Sequence, residues 1–173
     1  MKLPLAWRSS CSVMCQASRA AGSHSTFHRK PDPYGDWIGT GNYGDVCQPR
    51  PAARSRDWRP YTNGHWVYTD AGWTWISDEA FGWATYHYGR WTRLREIGWV
   101  WVPGNDWGPA WVSWRRGNDF VGWAPLPPQA HFNRSTGLRI SSDSTYGISP
   151  EQYAFVPGGQ FGGPPSTPPI VPP

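Results

Sequence analysis

The sequence predicts an all-β domain of antiparallel aromatic hairpin repeats, forming a twisted meander or a partly open barrel between disordered tails. Three observations carry that prediction. Twelve of the 14 tryptophans fall within residues 58–128. They also recur. Residues 58–66 laid over residues 83–91 match both end tryptophans, Tyr61 with Tyr86 and Gly64 with Gly89, at a shift of 25. Trp73-Thr74-Trp75 falls on Trp99-Val100-Trp101 at a shift of 26. Self-similarity at such a period marks a repeat architecture. Finally, Trp66 and Tyr68, then Trp73 and Trp75, share a face by period-two alternation about the turn Thr69-Asp70-Ala71-Gly72. That is how a hairpin reads.

Length and composition bound the rest. A chain of 173 residues suits one domain with tails. The 20 glycines and 19 prolines sit at turns inside the repeat and crowd into residues 157–173, a Pro/Gly-rich tail. No aliphatic-rich run is present, so burial must come mainly from rings, each with a large apolar area. No stretch approaches the roughly 18 apolar residues of a membrane span. The net charge of +4 hints at a polyanion partner until it is divided. Residues 1–30 carry Lys2, Arg8, Arg19, Arg29 and Lys30 and no acid. Residues 31–130 carry nine arginines against ten acids, and the remainder balances Arg134 and Arg139 against Asp143 and Glu151. The repeat is close to neutral and lacks the electrostatic footprint of a nucleic-acid binder.

Residues 1–30 form a basic leader that imitates a signal peptide poorly: the first charge is present, but Pro4, Arg8 and two serines interrupt the apolar stretch. Cys11, Cys15, His24 and His28 are spaced C-x3-C-x8-H-x3-H. A ββα zinc finger needs about twelve residues and an apolar core between its pairs, so no metal site is expected. A Cys11–Cys15 disulfide stays open. Residues 31–56 hold a degenerate first repeat: Tyr34-Gly35-Asp36-Trp37 echoes Tyr88-Gly89-Arg90-Trp91, and Tyr43-Gly44-Asp45-Val46-Cys47 echoes Ile97-Gly98-Trp99-Val100-Trp101. Cys47 thus stands where other copies have tryptophan. With nothing basic fixed beside it, a buried inert thiol is favoured.

Residues 49–56 read as a polar connector. Residues 83–91 read as another strand run, residues 98–102 pair with 90–93, and residues 111–114 pair with 120–123. Pro125, Pro127 and Pro128 end the ladder, because proline has no N–H to donate. No helix is expected. In residues 129–156, the stretch from Tyr146 to Val156 reads as a β cap on the sheet.

Several phrases together resemble one family. They are Trp58-Arg59-Pro60-Tyr61, Gly82-Trp83-Ala84-Thr85-Tyr86-His87-Tyr88-Gly89-Arg90-Trp91, Gly98-Trp99-Val100-Trp101-Val102-Pro103-Gly104, Pro109-Ala110-Trp111-Val112-Ser113-Trp114 and Gly122-Trp123-Ala124-Pro125-Leu126-Pro127. The family they resemble is one of tryptophan-rich, mostly exported bacterial proteins carrying a domain of unknown function. The likeness spans about residues 33–128. It implies a bacterial source and an envelope location, periplasm or cell surface, and no catalytic residue. Cys47 and the leader depart from its pattern.

No catalytic set emerges from the residues. Asp78 and Glu79 are adjacent, so on a strand they face opposite ways and cannot flank one bond. His65 and His87 occupy non-equivalent repeat positions, and His87, among rings, reads as a packing or hydrogen-bonding residue. No G-x-S-x-G, H-E-x-x-H or phosphate-cradling glycine loop is present, and no cofactor is expected. Arg90, Arg93, Arg95, Arg115 and Arg116 interleave with Trp91, Trp111 and Trp114. Such sets stack nucleobases but also form structural cation–π pairs, and the neutral charge balance favours the second use.

Rings beside amides and acids also suit a sugar-binding surface. Most of the tryptophans are needed as core, which leaves the rings at turns and hairpin ends, Trp58, Trp107, Trp114 and Tyr88, as those expected to face a ligand. The expectation is a non-catalytic cell-envelope module holding a polysaccharide, peptidoglycan or a protein partner, with no nucleic acid and no membrane span. The alternatives are an envelope glycan hydrolase using Asp78, Glu79 and Asp106, or a self-assembling structural unit.

Overall fold

Four antiparallel hairpins carry the repeat; three set a pair of tryptophans on an equivalent rung, and the first sets a tryptophan against a cysteine. The computed structural model describes residues 33–130, 132–133, 137–138 and 146–162. Strands β1 (Gly35–Thr40) and β2 (Gly44–Pro49) place Trp37 opposite Cys47. Strands β3 (Gly64–Thr69) and β4 (Gly72–Ser77) place Trp66 opposite Trp75. Strands β5 (Arg90–Leu94) and β6 (Gly98–Val102) place Trp91 opposite Trp101. Strands β7 (Val112–Arg116) and β8 (Phe120–Pro125) place Trp114 opposite Trp123. The register also explains the change of shift. Thr69 pairs with Gly72 across two turn residues, whereas Leu94 pairs with Gly98 across three. That extra residue turns 25 into 26.

The fold is the mostly β, hairpin-repeat architecture that the sequence predicts. Its strands lie in open sheets that do not close into a barrel. One sheet has the order β1-β2-β6-β5, so the first hairpin joins the third, and the second hairpin stands as its own two-stranded sheet. The third sheet, β11-β8-β7, is completed by β11 (Ala154–Pro157), which runs antiparallel to β8 with Ala154 opposite Trp123. Two-residue strands β9 (Phe132–Asn133) and β10 (Gly137–Leu138) pair with each other.

The join between the first and third hairpins rests on Cys47 opposite Trp101. A row of side chains, Trp37, Cys47, Trp101 and Trp91, therefore crosses the four-stranded sheet on one face. Trp37 and Trp101 meet edge to face at 6.4 Å over the cysteine between them. A tryptophan at position 47 would occupy that space, which is the physical reason this copy of the repeat departs from the others. Cys47 is buried, 8 % exposed.

Two short helices correct the expectation of none. Helix α1 (Arg50–Arg54) replaces the polar connector. Pro51 lies in its first turn, where a missing N–H costs nothing and the fixed φ is already helical, and two alanines follow. Helix α2 (Gly82–Thr85) stands where a strand was expected. Its aromatic, β-branched composition favours a strand, but tertiary context overrides such preferences: Gly82 is pressed against Ser77, and the carbonyls after the helix are claimed by ring donors described below.

Seven of the twelve tryptophans in the repeat are buried: Trp66, Trp75, Trp91, Trp99, Trp101, Trp111 and Trp123. Each removes roughly 200 Å² from water, an upper bound of about 5 kcal/mol at roughly 25 cal/mol per Å². Tyr61 and Tyr86, both 0 % exposed, sit at the centre of this cluster. Ala124, Leu126, Ala130, Ile148 and Tyr153 make a smaller second core beneath the C-terminal segment. The stretch expected as a cap is thus a sheet strand with a core of its own.

Candidate functional site

The last residue of α2 and the three that follow it present four consecutive carbonyls of the kind that a helix end leaves without partners. Four different rings claim them. Trp91 Nε1 donates to the Thr85 carbonyl at 3.0 Å, and the Tyr61 hydroxyl donates to that of Tyr86 at 3.0 Å. Trp111 Nε1 donates to that of His87 at 3.0 Å, and Trp101 Nε1 to that of Tyr88 at 2.7 Å. Gly89, with φ +66°, ends the segment. A Cβ there would lie 2.2 Å from the Val102 carbonyl oxygen and 2.7 Å from Trp101 Nε1. This segment is a socket for indole N–H groups.

The titratable groups around the socket are held in structural roles. Glu79 accepts from Trp58 Nε1 at 2.9 Å and from the Tyr86 hydroxyl. Burial pushes its carboxyl up, against the pull of those two donors. Burial and the neighbouring carboxylate raise the Tyr86 phenol well above its usual range. The Arg90 guanidinium lies 3.0 Å from the centre of the Trp111 ring and donates to the Ala130 and Gly89 carbonyls. Burial lowers it to about 10. His87 Nδ1 donates to the Gly108 carbonyl at 3.0 Å, and its ring stacks on Trp107 at 5.9 Å. A carbonyl can only accept, so the neutral ring carries its proton on Nδ1, and burial lowers its affinity for a second one.

Of the ligand-facing rings expected from sequence, the structure exposes one. Trp107 is 50 % exposed. Trp58 is half-buried against Trp91 at 5.4 Å, because its N–H is drawn inward to Glu79. Trp114 is half-buried between Trp66 at 4.6 Å and Phe161 at 5.6 Å, because the C-terminal segment folds back over it. Tyr88 is half-buried and gives its carbonyl to Trp101. No ring contact among the described residues joins any two of the four. Of the acids, Asp78 and Asp106 are exposed, while Glu79 is half-buried and held by Trp58 and Tyr86.

A cleft of about 420 Å³ lies elsewhere, between the β5–β6 face and the C-terminal segment. Tyr43, Arg93, Trp99, Gln129, Tyr146 and Gln152 line it. Gln129 Nε2 donates to the Tyr43 hydroxyl at 3.2 Å. The C-terminal wall is tied down by the Tyr153 hydroxyl donating to Ser113 Oγ at 2.9 Å and by Arg59 donating to the Glu151 carbonyl. A smaller hollow of about 40 Å³ is lined by Arg56, Trp58, Arg95 and, again, Arg93 and Trp99. Neither is lined by Asp78, Glu79 or Asp106. Reasoning from sequence missed Tyr43, Gln129, Tyr146 and Gln152, none of which lies on a strand: Tyr43 and Gln129 sit in turns, and Gln152 ends a short 3-10 helix. The one available signal was Arg93, two residues beyond Trp91 and hence on the same strand face.

Among the described residues no three His, Cys, Asp or Glu side chains group as a metal would need, and no helix is long and apolar enough to cross a membrane. The Cys11, Cys15, His24 and His28 set, the leader and residues 163–173 lie outside the described residues.

The profile of a family of unknown function, DUF6600, matches residues 28–130. The chain belongs to this family. The DUF6600 match takes in β1 to β8 and the whole indole socket, while β11 and the C-terminal wall of the cleft lie beyond it. No curated protein and no solved structure matches the chain.

Proposed function

We propose that this DUF6600 chain is a non-catalytic cell-envelope module that holds a polysaccharide or peptidoglycan strand in the cleft between β5–β6 and the C-terminal segment. The observation that carries the reading is the lining of that cleft. Rings, side-chain amides, hydroxyls and one guanidinium surround about 420 Å³, a size suited to a few sugar units rather than a folded partner. Ring faces pack on sugar C–H groups, and amides and hydroxyls exchange hydrogen bonds with sugar hydroxyls. Support for a binding rather than a hydrolytic role comes from the acids. Among the described residues no carboxylate lines either cleft, and Glu79, whose proton affinity burial raises, is engaged by Trp58 and Tyr86. The envelope location is part of the proposal and rests on the family resemblance.

Co-sedimentation of the full chain with insoluble peptidoglycan and with bacterial exopolysaccharide tests this. The expected result is retention that Gln129→Ala and Gln152→Ala together weaken while the near-ultraviolet dichroism of the tryptophans is unchanged. Retention by neither material, with the protein folded, would remove the glycan reading and favour a self-assembling unit, visible as concentration-dependent oligomers.

A further inference from the structure

We propose that the two clefts together bind an acidic polysaccharide, one whose carboxylates are spaced along an otherwise neutral sugar chain. This rests on the glycan-module reading and specifies its ligand. Arg93 and Trp99 line both the large cleft and the small hollow, so a chain leaving one meets the other at a shared guanidinium. Arg56, Arg93 and Arg95 line them and are exposed, and no ion pair among the described residues engages any of the three. Among the described residues no Asp or Glu lines either one. Three arginines without an ion pair among those residues therefore line the two, within a repeat that has one acid more than it has arginines.

Guanidinium groups meet carboxylates in a two-pronged fork, with stronger hydrogen bonds than neutral donors make. The remaining polar side chains of the large cleft, the Tyr43, Thr92 and Tyr146 hydroxyls and the Gln129 and Gln152 amides, are neutral and match sugar hydroxyls. That mixture fits sparse charge. A nucleic acid puts a charge on every unit and draws much of its affinity from a wide positive field, whereas residues 31–130 carry nine arginines against ten acids.

The test is affinity electrophoresis of the full chain in native gels containing alginate, a uronate polymer, or dextran, a neutral one, with a parallel gel shift on oligo(dT). Alginate should retard the protein, dextran much less, and the effect should fade as salt rises from about 50 to about 200 mM. Arg93→Gln should weaken alginate binding about tenfold, as losing one charge-assisted contact does. Arg116→Gln, exposed and lining neither cleft, should leave it unchanged. Equal retardation by alginate and dextran, or equal loss in the Arg93 and Arg116 variants, would overturn the acidic specificity and leave the glycan module standing. Retardation by neither polymer, if peptidoglycan and exopolysaccharide also fail to retain the chain, would remove both. Tighter binding of oligo(dT) than of alginate would replace the proposal with a single-stranded nucleic acid.

Discussion

The Tyr61 hydroxyl donates to the Tyr86 carbonyl at 3.0 Å, and the two rings lie 4.6 Å apart. These residues hold the same position in successive repeats, so the repeat contacts itself at its own centre. The same hydroxyl accepts the Trp111 backbone N–H at 3.1 Å, and the Tyr61 carbonyl accepts Trp123 Nε1 at 2.8 Å. One tyrosine thereby links the socket to the fourth hairpin. It does so with φ at 61°, a left-handed conformation that costs a residue with a Cβ roughly 1–2 kcal/mol, offset by these contacts.

Tyr61→Phe should therefore destabilise the domain far more than the loss of one surface hydroxyl would. It keeps the ring but leaves the Trp111 N–H without its acceptor and the Tyr86 carbonyl without this donor. At about 1–3 kcal/mol for each of the two buried orphans, a loss of about 2–6 kcal/mol is expected. Urea unfolding should show a lower midpoint at an unchanged slope. A loss below about 1 kcal/mol would show that the hydroxyl is not a hub.

Two glycines with positive φ separate backbone preference from crowding. Gly72, φ +92°, has nothing within 4 Å of a notional Cβ, whereas at Gly89, φ +66°, a Cβ would lie 2.2 Å from the Val102 carbonyl oxygen. Gly72→Ala should cost about 1 kcal/mol, the backbone contribution alone. Gly89→Ala should cost well over about 3 kcal/mol or prevent folding, because strand β6 must move to admit it. Similar unfolding midpoints for the two variants would refute the socket as a tight element.

The hairpins were legible in the sequence because their signals are local: a turn glycine, period-two rings and a constant offset between copies. Even the odd position of Cys47 could be read from its neighbours. The socket was not legible, since residues 83–91 have the composition of a strand, and residues 83–89 become a helix and turn only because Trp91, Trp101 and Trp111 claim the carbonyls of residues 85, 88 and 87. The cleft was hidden for a related reason. Tyr43, Gln129, Tyr146 and Gln152 belong to no period, and chain reversal alone brings them together. Exposure of rings was misjudged at Trp58 and Trp114, whose places at hairpin ends gave no sign of the inward bond to Glu79 or of Phe161 folding back.

Glu79 should give the domain a distinctive pH response. Burial raises its carboxyl above the unfolded value, so the folded state binds the proton more tightly. The stability this lends is full below the unfolded value of about 4.3 and is lost as pH rises through the folded value. Glu79→Gln keeps an acceptor for Trp58 and removes the titration. Wild type should therefore gain stability relative to this variant as pH falls from 7 to about 4, in urea unfolding at a series of pH values. A relative loss over that range would mean that Trp58 and Tyr86 outweigh burial and hold the carboxyl below its ordinary value.

Cys47 offers the sharpest contrast between a repeat and its exception. The other hairpins carry tryptophan pairs on this rung, so consensus alone would recommend Cys47→Trp. The structure argues the reverse, because the edge-to-face contact of Trp37 with Trp101 at 6.4 Å already fills the space above residue 47, and Gly35 and the sulfur are so close that a Cβ on Gly35 would come within 2.9 Å of it. Overpacking on this scale costs about 1–3 kcal/mol or more, so the variant should unfold at lower temperature than wild type. Cys47→Ala, which vacates the rung, should lose less and keep the Trp37 contact. In the native protein the sulfur should resist a maleimide until denaturant is added, read by peptide mapping of residue 47. If Cys47→Trp raised the melting temperature, the first hairpin would have to shift relative to the third, and the row from Trp37 to Trp91 would not be the feature that joins them.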